Sequence, residues 1–418
     1  MNGPIYLDYA AGAPLAPEAR AAWAEADVPG NPHAPHRLGR RARQVLEQAR
    51  EDIAAALGAE SAEVILTSGG TEADALAVRG IFEARQKDAE RPCLLIGATE
   101  HAAVRENASL ARALGARVLE IPVDSRGVVS LAFVAEHLDA RGAETALISL
   151  MVANNETGAV QPVTVVVELA AQAGVPVHSD WVQGVGKLPT DFRASGLAAA
   201  SVSAHKLGGP VGIGALLAGR GVGVVQVVGG GGQERGVRSG TQDARGAAAF
   251  AAVLRADGPA PEALDALLAP LDALIAEHPA LVARTPKWGR LPGLRSFTVT
   301  GARGEALVYL LDRAGIAVST GSACAAGVAG PSHVLLAMGL DEATALGALR
   351  VSVGAGSTLA DVEALVEALP GAVERAQAAA AVTVAPRHAR PAAGIAPGRP
   401  QAREAPPPRH VAGGPGAA

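Results

Sequence analysis

Short apolar runs alternate with amphipathic segments from Val64 onward, which predicts strands alternating with helices. The predicted strands are Val64–Ser68, Cys93–Gly97, Arg117–Val123, Thr145–Ala153, Pro176–Asp180, Ala199–Ser203 and Ile213–Ala218. The predicted helices that lie before and between them include Leu38–Leu57, Glu72–Glu83, His101–Leu114 and Val163–Ala173. This alternation is typical of an α/β fold in which helices cover a mostly parallel sheet.

The rhythm of the chain changes after residue 258, which indicates a second domain. Leu264–His278 and Gly304–Arg313 have helical patterns, and Gly293–Thr300 between them is extended. We therefore expect a large domain over 15–258 and a smaller α+β domain formed by 1–14 and 259–378.

A third texture covers residues 379–418, where eight prolines stand among Ala, Gly and Arg. Such a segment buries too little apolar surface to offset its ordering entropy. We expect a disordered, solvated tail; a docking arm for an acidic partner is the alternative, because the tail is mildly basic.

Composition agrees with a soluble enzyme of 418 residues, 49% of them hydrophobic and 18% charged. A net charge of -5 gives no basic field, so nucleic acid is not an expected partner. The sequence has no long uncharged apolar stretch, so neither a leader nor a membrane span is expected. It has two cysteines, too few for a disulfide framework. The cytoplasm is therefore the expected compartment.

An acid and a lysine end two successive predicted strands, and this pair points to pyridoxal phosphate. Asp180 closes one strand, and Lys206 follows the next. A lysine can bond covalently to the cofactor's aldehyde, while a carboxylate keeps the pyridine nitrogen protonated. Ligands of such sheets bind beyond the carboxyl ends of the strands, where both residues are expected.

Candidate phosphate ligands lie near the same edge. Residues 67–72 close a strand and open a helix, so the amides and the Thr71 hydroxyl can cradle a phosphate at the helix start. Ser203 and His205 beside the lysine strengthen that interpretation. The polar loop 229–241 is either a plain surface loop or one that contacts substrate or phosphate.

Other strand ends carry polar side chains. His101 follows the strand Cys93–Gly97, and although a lone histidine is more often structural, a neutral imidazole there could stack on a pyridine ring and exchange protons. Asn154 and Asn155 either cap a turn or bind a cofactor or substrate. Arg350 is either a surface charge or a bidentate carboxylate ligand.

The two cysteines have contrasting surroundings. Cys93 stands among large apolar residues and is predicted to be buried and inert. Cys324 stands in 319–327 among small residues, which predicts an accessible, mobile loop with a reactive thiolate.

These motifs together resemble the cysteine desulfurases, fold-type I pyridoxal-phosphate enzymes of the class V aminotransferase group. The similarity runs in order from about residue 5 to 369 and is carried by 6–11, 30–32, 99–101, 154–158, 180–206, 235–241 and 321–324. The Gly-Ser-Ala-Cys form is similar to the branch with an extended cysteine loop, which serves iron–sulfur cluster assembly and tRNA thiolation.

The resemblance implies a role for each matching position. Lys206 would be the Schiff-base lysine, Asp180 the partner of the ring nitrogen, Gln183 a donor to the ring hydroxyl and His101 the stacking, proton-handling imidazole. The phosphate ligands would be Gly70, Thr71, Ser203 and His205, with Thr241 reaching over from the second subunit of a homodimer. Asn155 and Arg350 would hold the substrate, and Cys324 would accept sulfur; no metal is implied.

The implied reaction converts L-cysteine to L-alanine and leaves a persulfide on Cys324, from which sulfur passes to an acceptor protein. Another pyridoxal-phosphate reaction on the same scaffold, such as selenocysteine lysis or transamination, is one alternative, and a non-catalytic scaffold is another. Three departures from the family pattern concern the substrate pocket: Trp181 where a small residue is usual, Leu207–Gly212 without the common aromatic and second lysine, and 10–14 without threonines.

Overall fold

The computed structural model describes residues 3–87, 89–321 and 330–384. Its strands are β1 (Ile5–Tyr6), β2 (Val64–Thr67), β3 (Cys93–Gly97), β4 (Arg117–Ile121), β5 (Thr145–Ser149), β6 (Val177–Asp180), β7 (Ala199–Ser203), β8 (Gly214–Ala218), β9 (Leu281–Ala283), β10 (Leu294–Val299), β11 (Ile316–Ala317) and β12 (Ala348–Ser352).

The α-helices are α1 (Pro17–Glu25), α2 (Arg37–Ala56), α3 (Gly70–Ala75), α4 (Phe82–Arg85), α5 (Ala102–Ala111), α6 (Leu131–Arg141), α7 (Val163–Gln172), α8 (Phe192–Ser195), α9 (Ala244–Arg255), α10 (Pro261–Leu267), α11 (Ala269–Glu277), α12 (Gly304–Arg313), α13 (His333–Ala337), α14 (Glu342–Ala345) and α15 (Leu359–Val384). A π-helical turn, Leu76–Ile81, joins α3 to α4.

A seven-stranded sheet in the order β2-β8-β7-β6-β5-β3-β4 forms the centre of the molecule. All of its paired neighbours are parallel except those of β8, which runs antiparallel to both β2 and β7. The predicted mostly parallel sheet is therefore confirmed. Because β8 is antiparallel to both of its neighbours, β2 and β7 point the same way. The carboxyl end of β2 therefore lies at the same edge of the sheet as those of β5 and β6.

Helices cover both faces of this sheet, as predicted, and the strand sequences explain why. Alternate side chains of a strand point to opposite faces. Leu95 belongs to one apolar core with α2 and α9, and its neighbours Leu94 and Ile96 belong to another with the helical segment that follows Gly70. Continuous apolar runs such as 93–97 are therefore required by burial on both sides.

A third core lies around the antiparallel sheet β12-β10-β9. The N-terminal segment reaches it: β1 pairs in parallel with β11, and Leu7 is fully buried among these later residues. The last helix runs to Val384 and so overlaps the first residues of the predicted tail; the rest of that tail lies outside the described residues.

Candidate functional site

Most residues predicted to bind a cofactor line a single cavity of about 260 Å³ at the carboxyl edge of the large sheet. They come from the ends of β2, β3, β5, β6 and β7, because these strands point the same way and are near neighbours. The predicted residues in its wall are Gly70, Thr71, His101, Asn155, Asp180, Gln183, Ser203, His205 and Lys206. Thr241 is exposed and is not part of this wall.

Lys206 lies one turn beyond β7, and its amine is held by the N-terminal segment. Its Nζ donates to the carbonyl oxygens of Ala10 at 2.7 Å and Ala11 at 2.9 Å. Burial, assisted by repulsion from Arg350, lowers the lysine's pKa to about 8, although Asp180 acts in the opposite direction. A neutral amine, the form that attacks a carbonyl carbon, is therefore accessible near neutral pH.

Asp180 is the last residue of β6 and is 5% exposed. Its Oδ1 accepts a hydrogen bond of 2.8 Å from the backbone N–H of Val182. Burial raises its pKa, while the nearby His101 and Lys206 lower it. A cationic ring nitrogen placed against this carboxylate would supply the counter-charge that a buried anion requires.

The turn after β2 has the geometry of an anion cradle. Gly69 has φ of 144°, a conformation that favours glycine, and it leads into the helical segment that begins at Gly70 and continues through the π turn to Arg85. A Cβ at Gly70 would stand 2.7 Å from a methyl carbon of Val182, so a larger residue there would force Val182 to shift. The helix start, the Thr71 side chain and Ser203 thus border one end of the cavity.

His101 caps a helix and also borders the cavity. As the N-cap of α5, its Nδ1 accepts a 3.1 Å hydrogen bond from the N–H of Ala103. A ring nitrogen that accepts carries no proton, so Nε2 is the nitrogen that carries the proton of the neutral ring. The helix cap therefore fixes the tautomer of an imidazole that borders the cavity.

The adjacent asparagines have different surroundings. Asn154 anchors its own turn: its Oδ1 accepts from the N–H groups of Glu156 and Thr157, and its Nδ2 donates to the carbonyl of Thr99. Asn155 borders the cavity. The first asparagine builds the turn that presents the second.

Arg350 is a buried cation beside the cavity, not a surface charge. It is 3% exposed on β12, and its guanidinium donates to the Asn155 carbonyl at 2.7 Å and to Asp8 at 2.5 Å. Its Nε has no hydrogen-bond partner among the described residues. Because Asp8 neutralises the charge, the guanidinium can remain buried at the edge of the site.

Unpartnered buried polar atoms test whether this cavity fits a phosphorylated pyridine. Gln183 donates from Nε2 to the Ala10 carbonyl at 2.9 Å. Within residues 3–87, 89–321 and 330–384, however, its Oε1 is buried without a partner, and so is Oδ1 of Asp74. These unmet acceptors, the anion cradle and the amine opposite an acid match a ligand with a hydroxyl, a phosphate, an aldehyde and a ring nitrogen. The residues present fit pyridoxal phosphate.

Several wall residues were not predicted from sequence: Asp74, Met151, Ala153 and Val182. Helical spacing could have found Asp74, because it stands one turn after Thr71 on the same helix. The sequence gives no signal for the groups that accept from the Lys206 amine, because they are the backbone carbonyls of Ala10 and Ala11.

The sequence left open how Trp181 affects the substrate pocket, and the structure places its side chain in the core. Its indole is 3% exposed and packs edge-on against Phe192, with ring centroids 6.4 Å apart, inside the apolar core under the sheet. Successive residues of an extended chain face opposite ways, so Asp180 reaches the cavity while Trp181 fills the core. Trp181 is not part of the cavity wall.

The structure describes only one of the two cysteines. Cys93 is fully buried on β3, as predicted, where Arg117 donates to its sulfur at 3.1 Å. Cys324 lies outside the described residues, so its predicted loop stays a prediction.

Within the described ranges, no group of three or more His, Cys, Asp or Glu side chains could hold a metal ion. No helix in the same part of the chain has the length and apolarity needed to cross a membrane.

Comparisons with known proteins agree on one family. The family model for class-V aminotransferases matches residues 5–365. The chain is 46% identical to the IscS-like cysteine desulfurase of Mycobacterium tuberculosis, covering 90% of this chain and 98% of the relative, and 40% identical to a cysteine desulfurase of Cereibacter sphaeroides, covering 90% and 97%. A solved NifS-like protein superposes with a TM-score of 0.79 at 31% identity, covering 89% of this chain and 99% of the other.

Proposed function

The chain belongs to the cysteine desulfurases of the class-V aminotransferase family, and on that premise we propose that it removes sulfur from L-cysteine at the cavity described above. The products are L-alanine and a persulfide on Cys324. In this reaction the carbon–sulfur bond of the substrate breaks, a sulfur–sulfur bond forms on the enzyme, and the carbon that lost sulfur gains a proton.

The family depends on pyridoxal phosphate, and the cavity wall gives each part of that cofactor a ligand. Gly70, Thr71, Ser203 and His205 hold the phosphate, and Thr241 reaches it from the second subunit of a homodimer. Asp180 holds the ring nitrogen, Gln183 the ring hydroxyl, and His101 stacks on the ring. When bound covalently to Lys206, the cofactor supplies an electron sink that makes the substrate Cα proton acidic.

The chain's own groups move the protons. The Lys206 amine, whose pKa burial and Arg350 lower to about 8, accepts the Cα proton once the substrate has displaced it. His101 has Nε2 available for proton exchange because Nδ1 is engaged by the helix cap. Arg350 and Asn155 fix the substrate carboxylate, which leaves the substrate's sulfur free for Cys324.

One observation carries the proposal: a lysine of lowered basicity and a buried acid border the same cavity, at the ends of adjacent strands β7 and β6. Such a pair is costly to bury without a ligand between its members, and it is what covalent pyridoxal-phosphate chemistry requires.

The test measures alanine and sulfide released from L-cysteine with excess dithiol. Lys206→Ala and Cys324→Ala should each lose at least about 100-fold in rate, since each removes a reacting group. Cys93→Ala is the matched control and should retain the rate, because Cys93 is buried away from the cavity. Full desulfurase activity in Cys324→Ala would remove that thiol from the reaction.

The same assay separates the alternatives. A selenocysteine lyase would release selenide efficiently without Cys324, and an aminotransferase would produce a keto acid in place of alanine. A non-catalytic scaffold would not acquire the absorbance of a lysine-bound cofactor.

The persulfide requires an acceptor protein, either an iron–sulfur cluster scaffold or a tRNA-thiolation enzyme, and the proposed setting is the cytoplasm. Capture of proteins from the native cell extract on persulfide-loaded enzyme, with Cys324→Ala as control, should recover that acceptor. Recovery of the same proteins by both forms would contradict transfer through Cys324.

A further inference from the structure

Asp74 is a buried acid in the cavity wall for which the proposed reaction has no use. It is 1% exposed on α3, and no residue in the described part of the chain forms a hydrogen bond with its Oδ1. Burial first, and then the charge of Asp180, raise its pKa well above the usual range; Glu100 acts the same way, and only the Ser201 hydroxyl opposes them. None of these neighbours is a cation.

A chain of hydrogen bonds leads from this acid across three strands. The Ser201 hydroxyl on β7 lies 2.9 Å from Nε2 of His178 on β6, and Nδ1 of His178 lies 2.9 Å from the Ser149 hydroxyl on β5. His178 is fully buried, and burial lowers its pKa to about 3. Its ring is therefore neutral, with one nitrogen donating and the other accepting.

The protonation state of Asp74 sets the direction of this chain. An ionised Asp74 can only accept, so Ser201 would donate to it and His178 would have to carry its proton on Nε2. A protonated Asp74 can donate to Ser201, whose single hydroxyl proton then points to Nε2, and the ring proton moves to Nδ1 and Ser149. Nε2 lies 3.7 Å from the unpartnered Oδ1 of Asp74, too far for a hydrogen bond.

Burial geometry selects between the two directions. A carboxylate needs partners at both oxygens, and an unpartnered oxygen costs more on an ion than on a neutral acid. Asp180 already has a backbone N–H, His101 and Lys206 to support its charge, and Glu100 accepts from the N–H of Met151. Asp74 is the member of this group with the weakest support for a charge.

We propose that Asp74 is a positioning residue that stays a neutral carboxylic acid and donates to Ser201, which holds His178 in the form protonated on Nδ1. These hydrogen bonds then connect the helix of the phosphate cradle to β5, β6 and β7. It also leaves Asp180 as the charged acid that faces the ring nitrogen. That purpose rests on the proposed function, whereas the protonation states do not.

Two measurements on the cofactor-free, full-length protein test the assignment. Infrared difference spectra at pH 7 should show a protonated-carboxyl band that is lost in Asp74→Asn and kept in Asp139→Asn, which alters an exposed acid. Glu100→Gln identifies any separate band from Glu100, since burial raises the pKa of that acid as well. If Asp74→Asn removes no such band, the proposal is overturned.

Nitrogen NMR of histidine-labelled wild type, with the signals of His178 assigned from His178→Gln, should show the proton on Nδ1. This measurement needs no Asp74 variant, so a failure of that variant to fold leaves it decisive. A proton on Nε2 would overturn the proposal.

Cofactor titration provides the link to function. Asp74→Asn, whose amide can donate as the acid does, should change the dissociation constant of pyridoxal phosphate by less than about threefold, whereas Asp180→Asn should raise it by about tenfold or more. Equal losses in the two variants would show a charged Asp74 and contradict the proposal. If the wild-type protein did not bind the cofactor, the proposed function would fail, while the spectra would still decide the state of Asp74.

Discussion

At the scale of single residues, the site depends on which groups burial leaves charged. The same cavity wall contains a lysine with a lowered pKa and acids with raised pKa values. Burial is the first cause in each case, and specific neighbours then separate the groups. Asp180 has His101 and Lys206 nearby to support its charge, whereas Asp74 has no such cation among its strongest neighbours.

The lowered pKa of Lys206 predicts unusual amine reactivity. With a pKa of about 8, the neutral fraction of the amine rises about tenfold between pH 7 and pH 9 and then levels off. Competitive acylation of the cofactor-free protein, followed by mass spectrometry, should show this profile at Lys206, with the exposed Lys287 as internal reference. Labelling that continues to rise as far as pH 10.5 would contradict the lowered pKa.

The sequence predicted the residues whose chemistry is unusual for their position and missed those whose role depends on packing. Lys206, Asp180 and His101 were found because polar groups at strand ends are informative. The role of Asp74 depends on three-dimensional neighbours, Asp180 and Ser201, which are far away in sequence. The effect of Trp181 on the pocket stayed open because its identity does not give the direction of its side chain.

At the scale of elements, the strand pattern was predicted closely, and the helix that begins the phosphate cradle was not. β3 and β7 have the predicted bounds, and every residue of both strands is buried. The predicted helix Glu72–Glu83 is instead α3, a π turn and α4, since a π turn has no periodicity signal of its own.

The glycine-rich loop 229–241 is fastened to the core by a buried ion pair. The carboxylate of Glu234, whose side chain is fully buried, accepts from Arg50 at 2.7 and 2.8 Å, from the N–H of Leu66 at 2.9 Å and from Gln242 at 3.0 Å. A second pair joins Arg238 to Glu72, next to Thr71, at 2.8 Å. The loop is thereby tied to both sides of the cradle.

Glu234→Ala should destabilise the protein by about 3–5 kcal/mol, because it removes the buried counter-charge of Arg50 and leaves only the Val64 carbonyl and the half-exposed Glu47 to compensate the guanidinium. Urea unfolding of the cofactor-free protein measures the change. Glu305→Ala, which removes the partner of the exposed Arg303, is the control and should cost less than about 1 kcal/mol. A similar loss in both variants would contradict a special role for the buried pair.

The same carboxylate predicts an acid dependence. Hydrogen bonds and charge from Arg50 lower the pKa of Glu234 despite burial, so the unfolded state binds its proton at a higher pH than the folded state. The pair's stabilisation should be present above the ordinary glutamate pKa and be lost as pH falls through the lowered folded value. The difference in unfolding free energy between wild type and Glu234→Ala should accordingly shrink in acid; a constant difference would contradict this.

At the scale of the whole molecule, the predicted completion of each site by a second subunit gives a complementation test. Lys206→Ala and Thr241→Ala homodimers should both be impaired in binding or using the cofactor. In a heterodimer of the two, one site combines an intact Lys206 with the intact Thr241 of the partner subunit, so mixed and reassembled dimers should regain wild-type cofactor affinity at half of their sites. If Thr241 acts within its own chain, mixing restores nothing.

The contacts of the N-terminal segment set an order of events during synthesis. Ala10 accepts from the amine of Lys206, and its N–H donates to the hydroxyl of Ser352 at 2.9 Å, while β1 pairs with β11. This segment is thus synthesised hundreds of residues before the strands that it contacts, a delay of tens of seconds at about 5–20 residues per second. Prematurely released chains that end before β11 would have a complete large sheet and an unsecured N-terminus, which makes them the forms that chaperones and proteases are expected to intercept.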